Sequence, residues 1–187
     1  MKYDLSKKRT QGARRTLRAF SNALVALLEQ KPFESIQVNE LCHACMIPKS
    51  TFYNYFDDKY DLLNYLFQRW EEQIYPEVSQ IGVPSQRAQE VLRRLLDTVE
   101  QHQDVLNHIR IHNPAHGQFC NKLYLHFMDC CYRALIHSAL VQPHDIPVEL
   151  VAKRNAFAII AVFEWAFIEK HEATKEELIS YIMKLLQ

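Results

Sequence analysis

Apolar side chains recur every three or four residues along most of this chain, which is the spacing of amphipathic helices. The first stripe consists of Ala13, Leu17, Phe20, Leu24 and Leu27. It predicts a helix over about residues 10–30, whose opposite face carries Arg14, Arg15 and Arg18. The Lys31-Pro32 pair ends this helix, because proline disfavours a helical conformation in the residue before it.

Three shorter helices are predicted between residues 32 and 76. The second runs from about Val38 to Ala44 and the third from about Pro48 to Tyr55, with Pro48 at the first helical position, where proline is well tolerated. Asp57 or Asp58 is the expected N-cap of the fourth helix, which continues until Pro76.

The rest of the chain predicts five more helices. A strongly periodic one begins at Ser85, and a shorter one reaches about His112 before Asn113-Pro114. A long helix is expected over about 116–141 and a nearly all-apolar one over about 148–171. The last begins at Thr174, because Thr174 and Glu177 have the spacing of a capping box. The pattern therefore predicts an all-α protein.

Composition agrees with helices. The 187 residues include Gly 3 and Pro 7, too few turn-formers for many short strands. The longest apolar stretch, Ala156 to Ile168, is interrupted by Glu164 and is shorter than the roughly 20 residues of a membrane span. No apolar segment follows the basic start as in a secretory signal. We therefore expect a cytoplasmic protein without a membrane partner, whose five cysteines are reduced thiols.

Charge is distributed unevenly along the chain. Residues 1–60 carry ten basic and six acidic side chains, although the whole chain has a formal net charge of zero. Within residues 1–18, seven basic side chains accompany only Asp4. A basic N-terminal arm of this kind is typical of phosphate binding, and the alternative is a solvated tail that aids solubility.

Two short helices joined by a tight turn within a basic three-helix unit indicate a helix-turn-helix, whose second helix enters the DNA major groove. The segment Ser35–Leu63, and above all KSTFYNYFDDKYDLL from Lys49 to Leu63, resembles the DNA-binding domain of TetR-family transcriptional regulators. The resemblance implies a DNA-binding domain at residues 1–60, followed by a helical effector-binding and dimerisation domain at 61–187.

The resemblance also implies a function. A TetR-like regulator is expected to bind double-stranded DNA at a palindromic operator as a homodimer, paired through its last two long helices, here 148–171 and 174–186. We expect a repressor released by a small-molecule effector, with no enzymatic activity and no cofactor. The effector pocket is expected to be mostly apolar, with aromatic side chains such as Phe67, Trp70, Tyr124, Phe127 and Phe163.

Seven residues are expected to contact DNA. By resemblance, the hydroxyls of Thr51 and Tyr53 on the recognition helix bind phosphates, Lys59 pairs with a phosphate and Gln37 contacts the backbone. Base reading then falls to exposed side chains on the groove face of that helix. These are Lys49 toward guanine, Ser50, and Asn54, which can bind adenine through two hydrogen bonds. Phe52 and Phe56 are expected in the core.

Two positions depart from the family pattern. Met46 stands at the turn where glycine is usual, and a left-handed conformation there costs it roughly 1 kcal/mol. Pro48 replaces the usual serine cap of the recognition helix and cannot accept the capping hydrogen bond.

Three alternatives remain open. Cys42 and Cys45 have a spacing found in thiol redox proteins, although packing inside the second helix explains them as well. His108 and His112 lie four apart, as zinc ligands on one helix do, within a segment, 102–137, that is rich in histidine and cysteine. There, His126 falls on a polar stripe with Lys122, Asp129 and Arg133, and Cys120 and Cys131 fall on the apolar side. The third alternative is an interaction adaptor that no longer binds DNA.

Overall fold

The computed structural model describes residues 10–74, 84–136 and 146–186, which form helices and their connections without a β-strand within those ranges. Within these ranges the nine α-helices are α1 Gln11–Leu28, α2 Val38–Ala44, α3 Lys49–Tyr55, α4 Lys59–Ile74, α5 Pro84–Gln101, α6 Gln103–His112, α7 Gln118–Ile136, α8 Val148–Phe163 and α9 Lys175–Leu185. A 3₁₀ turn at Phe33–Ser35 precedes α2. The predicted all-α fold is confirmed. The basic arm before residue 10 and the predicted end of the 116–141 helix lie outside the described residues.

Polar side chains at the helix starts explain where three of these helices begin. The Thr10 hydroxyl accepts a hydrogen bond from the backbone N–H of Ala13 at 3.2 Å. Asp58 caps α4, because its carboxylate accepts from the N–H groups of Tyr60 and Asp61 at 2.8 and 3.0 Å. Thr174 caps α9 in the predicted capping box with Glu177. These contacts satisfy N–H groups that have no partner within the helix.

Two predicted helix limits need correction. Pro48 is the N-cap of α3 rather than its first helical residue, with an extended backbone at φ −59° and ψ 145°. The predicted helix over 148–171 is α-helical only to Phe163 and continues as a π-helical segment at Glu164–Ile168. Because a π turn holds an additional residue, apolar periodicity alone does not reveal it.

The first of two compact units contains residues 10–70 and 102–123. Its core is aromatic and aliphatic, and it includes α6 and the start of α7 together with the N-terminal helices. Its largest fully buried side chains include Phe20, Phe33, Phe52, Phe56 and Phe67. Phe67 also contacts Trp70 and Phe119, at ring-centroid distances of 5.8 Å each. Phe67 is therefore a core residue of this unit. The functional boundary at residue 60 remains a prediction.

The second compact unit contains the described residues of 71–101 and 124–186. Its core joins α5, α8 and α9 through Leu92, Leu96, Ala152, Ala156, Ile159, Leu178 and Ile182. At its surface Lys175 pairs with Asp97 and with Glu100, two residues near the end of α5. Among the helices in the described ranges, none is both long and apolar enough to cross a membrane.

Candidate nucleic-acid interface

An aromatic cluster holds α3 in place. Phe52 and Phe56 have no exposed surface, as expected from the sequence. Both meet Phe20 of α1 edge to face, with ring centroids 5.2 and 6.1 Å apart. Such pairs add to the hydrophobic stabilisation that burial of the rings provides. The short helix is thus fixed on α1 by its buried face.

The opposite face of α3 carries polar side chains. Lys49 and Tyr53 lie one turn apart, as do Ser50 and Asn54, and all four are exposed. The ammonium of Lys49 lies 5.9 Å from the centroid of the Tyr53 ring. Thr51 is half-buried. The structure therefore brings Lys49, Ser50, Tyr53 and Asn54 together on one surface, which we call the α3 face.

The turn between α2 and α3 has the left-handed residue that the family pattern suggested. Met46 has φ 54° and its side chain is 91% exposed. Its N–H donates to the carbonyl of His43, and the N–H of Ile47 donates to that of Cys42 at 3.0 Å. These two bonds form a Schellman motif, which normally places glycine at the left-handed position. Met46 thus occupies a strained position without burying its side chain.

Gln37 lies at the N-cap of α2 with its side chain exposed. Its backbone N–H donates to the Glu40 carboxylate at 2.9 Å, and Lys31 pairs with the same carboxylate. The Lys31 hydrogen bond, helped by the Gln37 N–H, lowers the pKa of Glu40. The start of α2 is therefore held in place while Gln37 itself stays exposed.

Lys59 is placed differently from the expected phosphate partner. Its ammonium donates to the backbone carbonyls of Phe33, Glu34 and Ile36, at 3.0, 2.8 and 2.9 Å. It also lies 4.8 Å from the centroid of the Phe33 ring. Burial lowers the pKa of Lys59, against the influence of nearby carboxylates. All three N–H groups of an ammonium are thus in use, and a phosphate contact requires one of these bonds to break.

Sequence reasoning missed the contacts that the α6–α7 connection makes with these helices. The side chain of Tyr60 donates to that of Gln118 at 2.6 Å, and the Glu34 carboxylate accepts from the Gln118 backbone N–H at 2.6 Å. The partners lie far apart in the chain, so local periodicity carries no signal for them. They belong to the same compact unit as α3.

The geometry does not favour the thiol redox alternative. Cys42 is buried and Cys45 is half-buried, and both are free thiols. The pKa of each thiol is raised, and the largest cause is burial, which disfavours the charged thiolate by removing it from water. Because the thiolate is the reactive form, both side chains are suited to packing rather than to redox chemistry.

His108 and His112 do not form a metal site with a third donor among the described residues. His108 is exposed and lies 3.9 Å from the carboxylate of Glu29. A different group, Glu71, His126 and Cys130, does bring three donor side chains together. Burial lowers the pKa of His126. Burial, and then the neighbouring Glu71, raise the pKa of Cys130 to about 12.

Comparison with known proteins gives a family match for the N-terminal helices. Residues 22–66 match the model of the bacterial regulatory proteins, tetR family. This range contains α2, α3 and their turn, together with the start of α4. A search of curated proteins finds no match to the chain.

Solved structures resemble the chain over nearly its whole length. A TetR transcriptional regulator from Streptococcus agalactiae 2603V has a TM-score of 0.67 and 21% identity, covering 93% of this chain and 94% of its own. The dihydroxyacetone kinase operon activator DhaS has a TM-score of 0.62 and 20% identity, covering 91% and 93%. The transcriptional regulator FadR from Bacillus subtilis, in complex with stearoyl-CoA, has a TM-score of 0.61 and 14% identity, covering 90% and 96%. At these identities the likeness concerns the fold.

Proposed function

We propose that this chain is a TetR-family transcriptional regulator, because residues 22–66 match the model of that family and solved TetR regulators share its fold. We further propose that it represses transcription as a homodimer on a palindromic operator and is released by a small-molecule effector. The proposed activity is accordingly DNA binding without catalysis, which the local family match and the shared fold support. The observation that carries the proposal is the α3 face, a set of exposed polar side chains on a helix whose other side is sealed by Phe20, Phe52 and Phe56.

The α3 face has side chains suited to both kinds of DNA contact. Lys49 offers a donor to the O6 and N7 acceptors of guanine. The Asn54 amide can donate to N7 of adenine and accept from its N6 amino group, and the Ser50 hydroxyl can contact either base. The Tyr53 and Thr51 hydroxyls and the Gln37 amide are proposed to bind phosphates, which positions the helix without reading sequence. We assign Lys59 a positioning role, because its ammonium holds the 3₁₀ turn and Ile36, the residue that follows this turn, against the start of α4.

A second copy of the chain is the proposed occupant of an exposed apolar surface on α8 and α9. Leu150, Phe157 and Ala161 lie at intervals of seven and four on α8, and all three are exposed. An open depression beside them is lined by Ala161, Val162, Trp165, Tyr181 and Leu185. We call the surface of Leu150, Phe157, Ala161, Tyr181 and Leu185 the α8–α9 face. An apolar surface of this kind favours burial against an identical one in a two-fold dimer.

The class of effector is inferred by analogy. The similar FadR of Bacillus subtilis is in complex with stearoyl-CoA, an organic ligand. The second unit offers aromatic side chains such as Phe127 and Phe163, whose ring centroids lie 5.5 Å apart. We propose that the effector is an organic small molecule that binds the non-DNA-binding conformation more tightly than the DNA-binding one. Only such a difference in affinity shifts the equilibrium between the two conformations.

A binding selection tests the DNA-binding part of the proposal. The purified full chain is mixed with a random double-stranded library, and an enriched site with two inverted halves is expected, one helical turn or a multiple of it apart. Asn54→Ala should then weaken binding to that site by about 1–3 kcal/mol and change random-sequence binding little. Asn64→Ala, an exposed asparagine on α4, is the matched control. A selection without enrichment contradicts the proposal.

The sign of regulation needs its own measurement. The enriched site is placed between a promoter and a reporter gene, and reporter output is compared with and without the chain. Repression lowers the output when the chain is present. A rise would instead assign the chain the role of an activator, as in the similar dihydroxyacetone kinase operon activator DhaS.

A further inference from the structure

Three potential metal ligands converge in the second compact unit. Glu71 lies near the end of α4, and His126 and Cys130 lie one turn apart on α7. The Nε2 atom of His126 is 3.3 Å from a carboxylate oxygen of Glu71 and 3.4 Å from the Sγ atom of Cys130. All three donor atoms lie within 4.8 Å of one another. None of these residues has a part in the proposed DNA interface or in the α8–α9 face.

The spacing of these donors matches a tetrahedral zinc site. With Zn–N and Zn–O bonds of about 2.0–2.2 Å, tetrahedral angles place two such ligand atoms about 3.3 Å apart. With a Zn–S bond of about 2.3 Å, the sulfur and nitrogen ligands lie about 3.5 Å apart. The separations of His126 Nε2 from Glu71 and from Cys130 are close to these values before any side chain moves.

The chemistry of the donors narrows the class of ion. A thiol, an imidazole and a carboxylate together suit Zn²⁺ and similar borderline cations, whereas Mg²⁺ and Ca²⁺ prefer oxygen ligands alone. Cys130 is buried, and the side chains of His126 and Glu71 are 23% and 22% exposed. The group is thus partly screened from water but reachable from it.

Arg133 marks the position as one that attracts positive charge. Its guanidinium NH2 group lies 3.1 and 3.3 Å from the two carboxylate oxygens of Glu71 and 3.3 Å from Cys130 Sγ. The Nε atom of the same side chain donates to Asp129 at 2.8 Å. If a cation binds Glu71 and Cys130 in place of Arg133, the Arg133 side chain still has the Asp129 carboxylate as a partner.

We propose that Glu71, His126 and Cys130 bind Zn²⁺, or a similar borderline divalent cation, and that this ion displaces the Arg133 guanidinium from Glu71 and Cys130. The thiol gives up its proton to solvent as the metal–sulfur bond forms. This site is separate from the pair His108 and His112. The proposal does not depend on which operator or organic effector the chain binds.

Cobalt provides a spectroscopic test on the full-length, chemically reduced and metal-free chain. Titration with Co²⁺ should produce thiolate-to-metal charge-transfer absorption in the near ultraviolet and visible bands of tetrahedral Co²⁺, both lost on addition of Zn²⁺. Cys130→Ser should remove the charge-transfer band. His126→Gln and Glu71→Gln should each weaken binding at least about tenfold, since even the loss of a residue behind a ligand costs this much.

Matched variants guard against a general effect on folding. His108→Gln and Cys45→Ser make the same substitutions away from the group and should bind Co²⁺ as the wild type does. Circular dichroism shows whether each variant keeps its helices, and Glu71→Gln, which is partly exposed, keeps the test valid if Cys130→Ser unfolds. Binding without charge transfer, or binding that survives His126→Gln and Glu71→Gln, overturns the proposed site.

The proposed displacement of Arg133 by the metal ion predicts that one substitution strengthens metal binding, whereas the substitutions of the ligands weaken it. Arg133→Gln removes the competing guanidinium and should tighten Zn²⁺ binding severalfold, measured by competition against a chromophoric chelator. If Glu71, His126 and Cys130 only formed an ion-pair group with Arg133, removal of Arg133 would disorder them and would not raise the affinity for Zn²⁺. Unchanged or weaker Zn²⁺ binding by a folded Arg133→Gln variant therefore contradicts the exchange.

Discussion

The side-chain oxygen of Asn113 accepts a hydrogen bond from the backbone N–H of Phe33 at 2.8 Å, joining residues 80 positions apart in the chain. The Asn113 amide also donates to the carbonyl of Leu28, the last residue of α1, at 3.1 Å. Asn113 is itself buried at the end of α6. One side chain thus connects α6 to both ends of the α1–3₁₀ connection.

Replacing Asn113 should therefore destabilise the first unit. Asn113→Leu keeps the approximate volume but leaves the Phe33 N–H and the Leu28 carbonyl without this partner, at a cost of roughly 1–3 kcal/mol for each buried group. Asn107→Leu, at an exposed position of the same helix, is the control. Urea unfolding followed by circular dichroism measures the difference. Equal stability of the two variants would contradict the role assigned to Asn113.

The left-handed conformation of Met46 predicts a stabilising substitution. Met46→Gly relieves backbone strain and should raise the free energy of unfolding by about 1 kcal/mol, because the exposed methionine side chain contributes little packing. Met46→Ala keeps the Cβ atom and should leave stability nearly unchanged. Chemical unfolding of both variants distinguishes strain from side-chain loss. A destabilised glycine variant would show that relief of strain is smaller than the entropy that glycine adds to the unfolded chain.

The contacts of Lys59 predict a loss of stability without a change in salt dependence. Lys59→Met keeps much of the aliphatic stem but removes three charge-assisted hydrogen bonds, and we expect a loss on the order of 2 kcal/mol. Lys122→Met, an exposed lysine on α7, should change stability little.

The same variant distinguishes a positioning role from a phosphate contact. The slope of the logarithm of operator affinity against that of salt concentration should stay unchanged in Lys59→Met under conditions where the variant is folded. A loss of one phosphate contact would instead reduce its magnitude by about 0.9.

The α8–α9 face predicts the outcome of charge substitutions. Phe157→Glu should yield a folded monomer in sedimentation experiments, since it places a charge in the proposed dimer contact. Lys153→Glu on the same helix should remain a dimer. Ile160 is buried within the protomer, so Ile160→Glu should unfold the chain rather than separate the subunits. A monomeric wild type at micromolar concentration would overturn the dimer.

The raised pKa values of Cys42 and Cys45 predict slow alkylation. At neutral pH both thiols should react with iodoacetamide much more slowly in the native chain than in urea, because little thiolate is present and Cys42 is buried. Mass spectrometry of peptide fragments measures each site separately. Fast reaction of either cysteine with iodoacetamide in the native chain would contradict this prediction and would support a thiol redox function.

The periodicity of apolar residues predicted those features that depend on a single helix, such as which of its positions are buried. The buried positions Phe52 and Phe56 follow from helical spacing, and the conformation of Met46 follows from its place in the family pattern. The partners of Lys59 could not be predicted in this way, because they are backbone carbonyls whose availability has no sequence signature. Periodicity placed His126 on a polar stripe, but its proximity to Glu71 depends on how two helices pack.

The π-helical segment at Glu164–Ile168 bears on how chains of this kind can differ in length. A π turn contains one residue more than an α turn accommodates, so it is equivalent to a single inserted residue contained within the helix. Removal of one residue here would restore ordinary α-helical spacing without shifting the preceding core positions Ala152, Ala156 and Ile159. Deletion of one residue within Glu164–Ile168 should therefore disturb the fold less than deletion of one residue within α8.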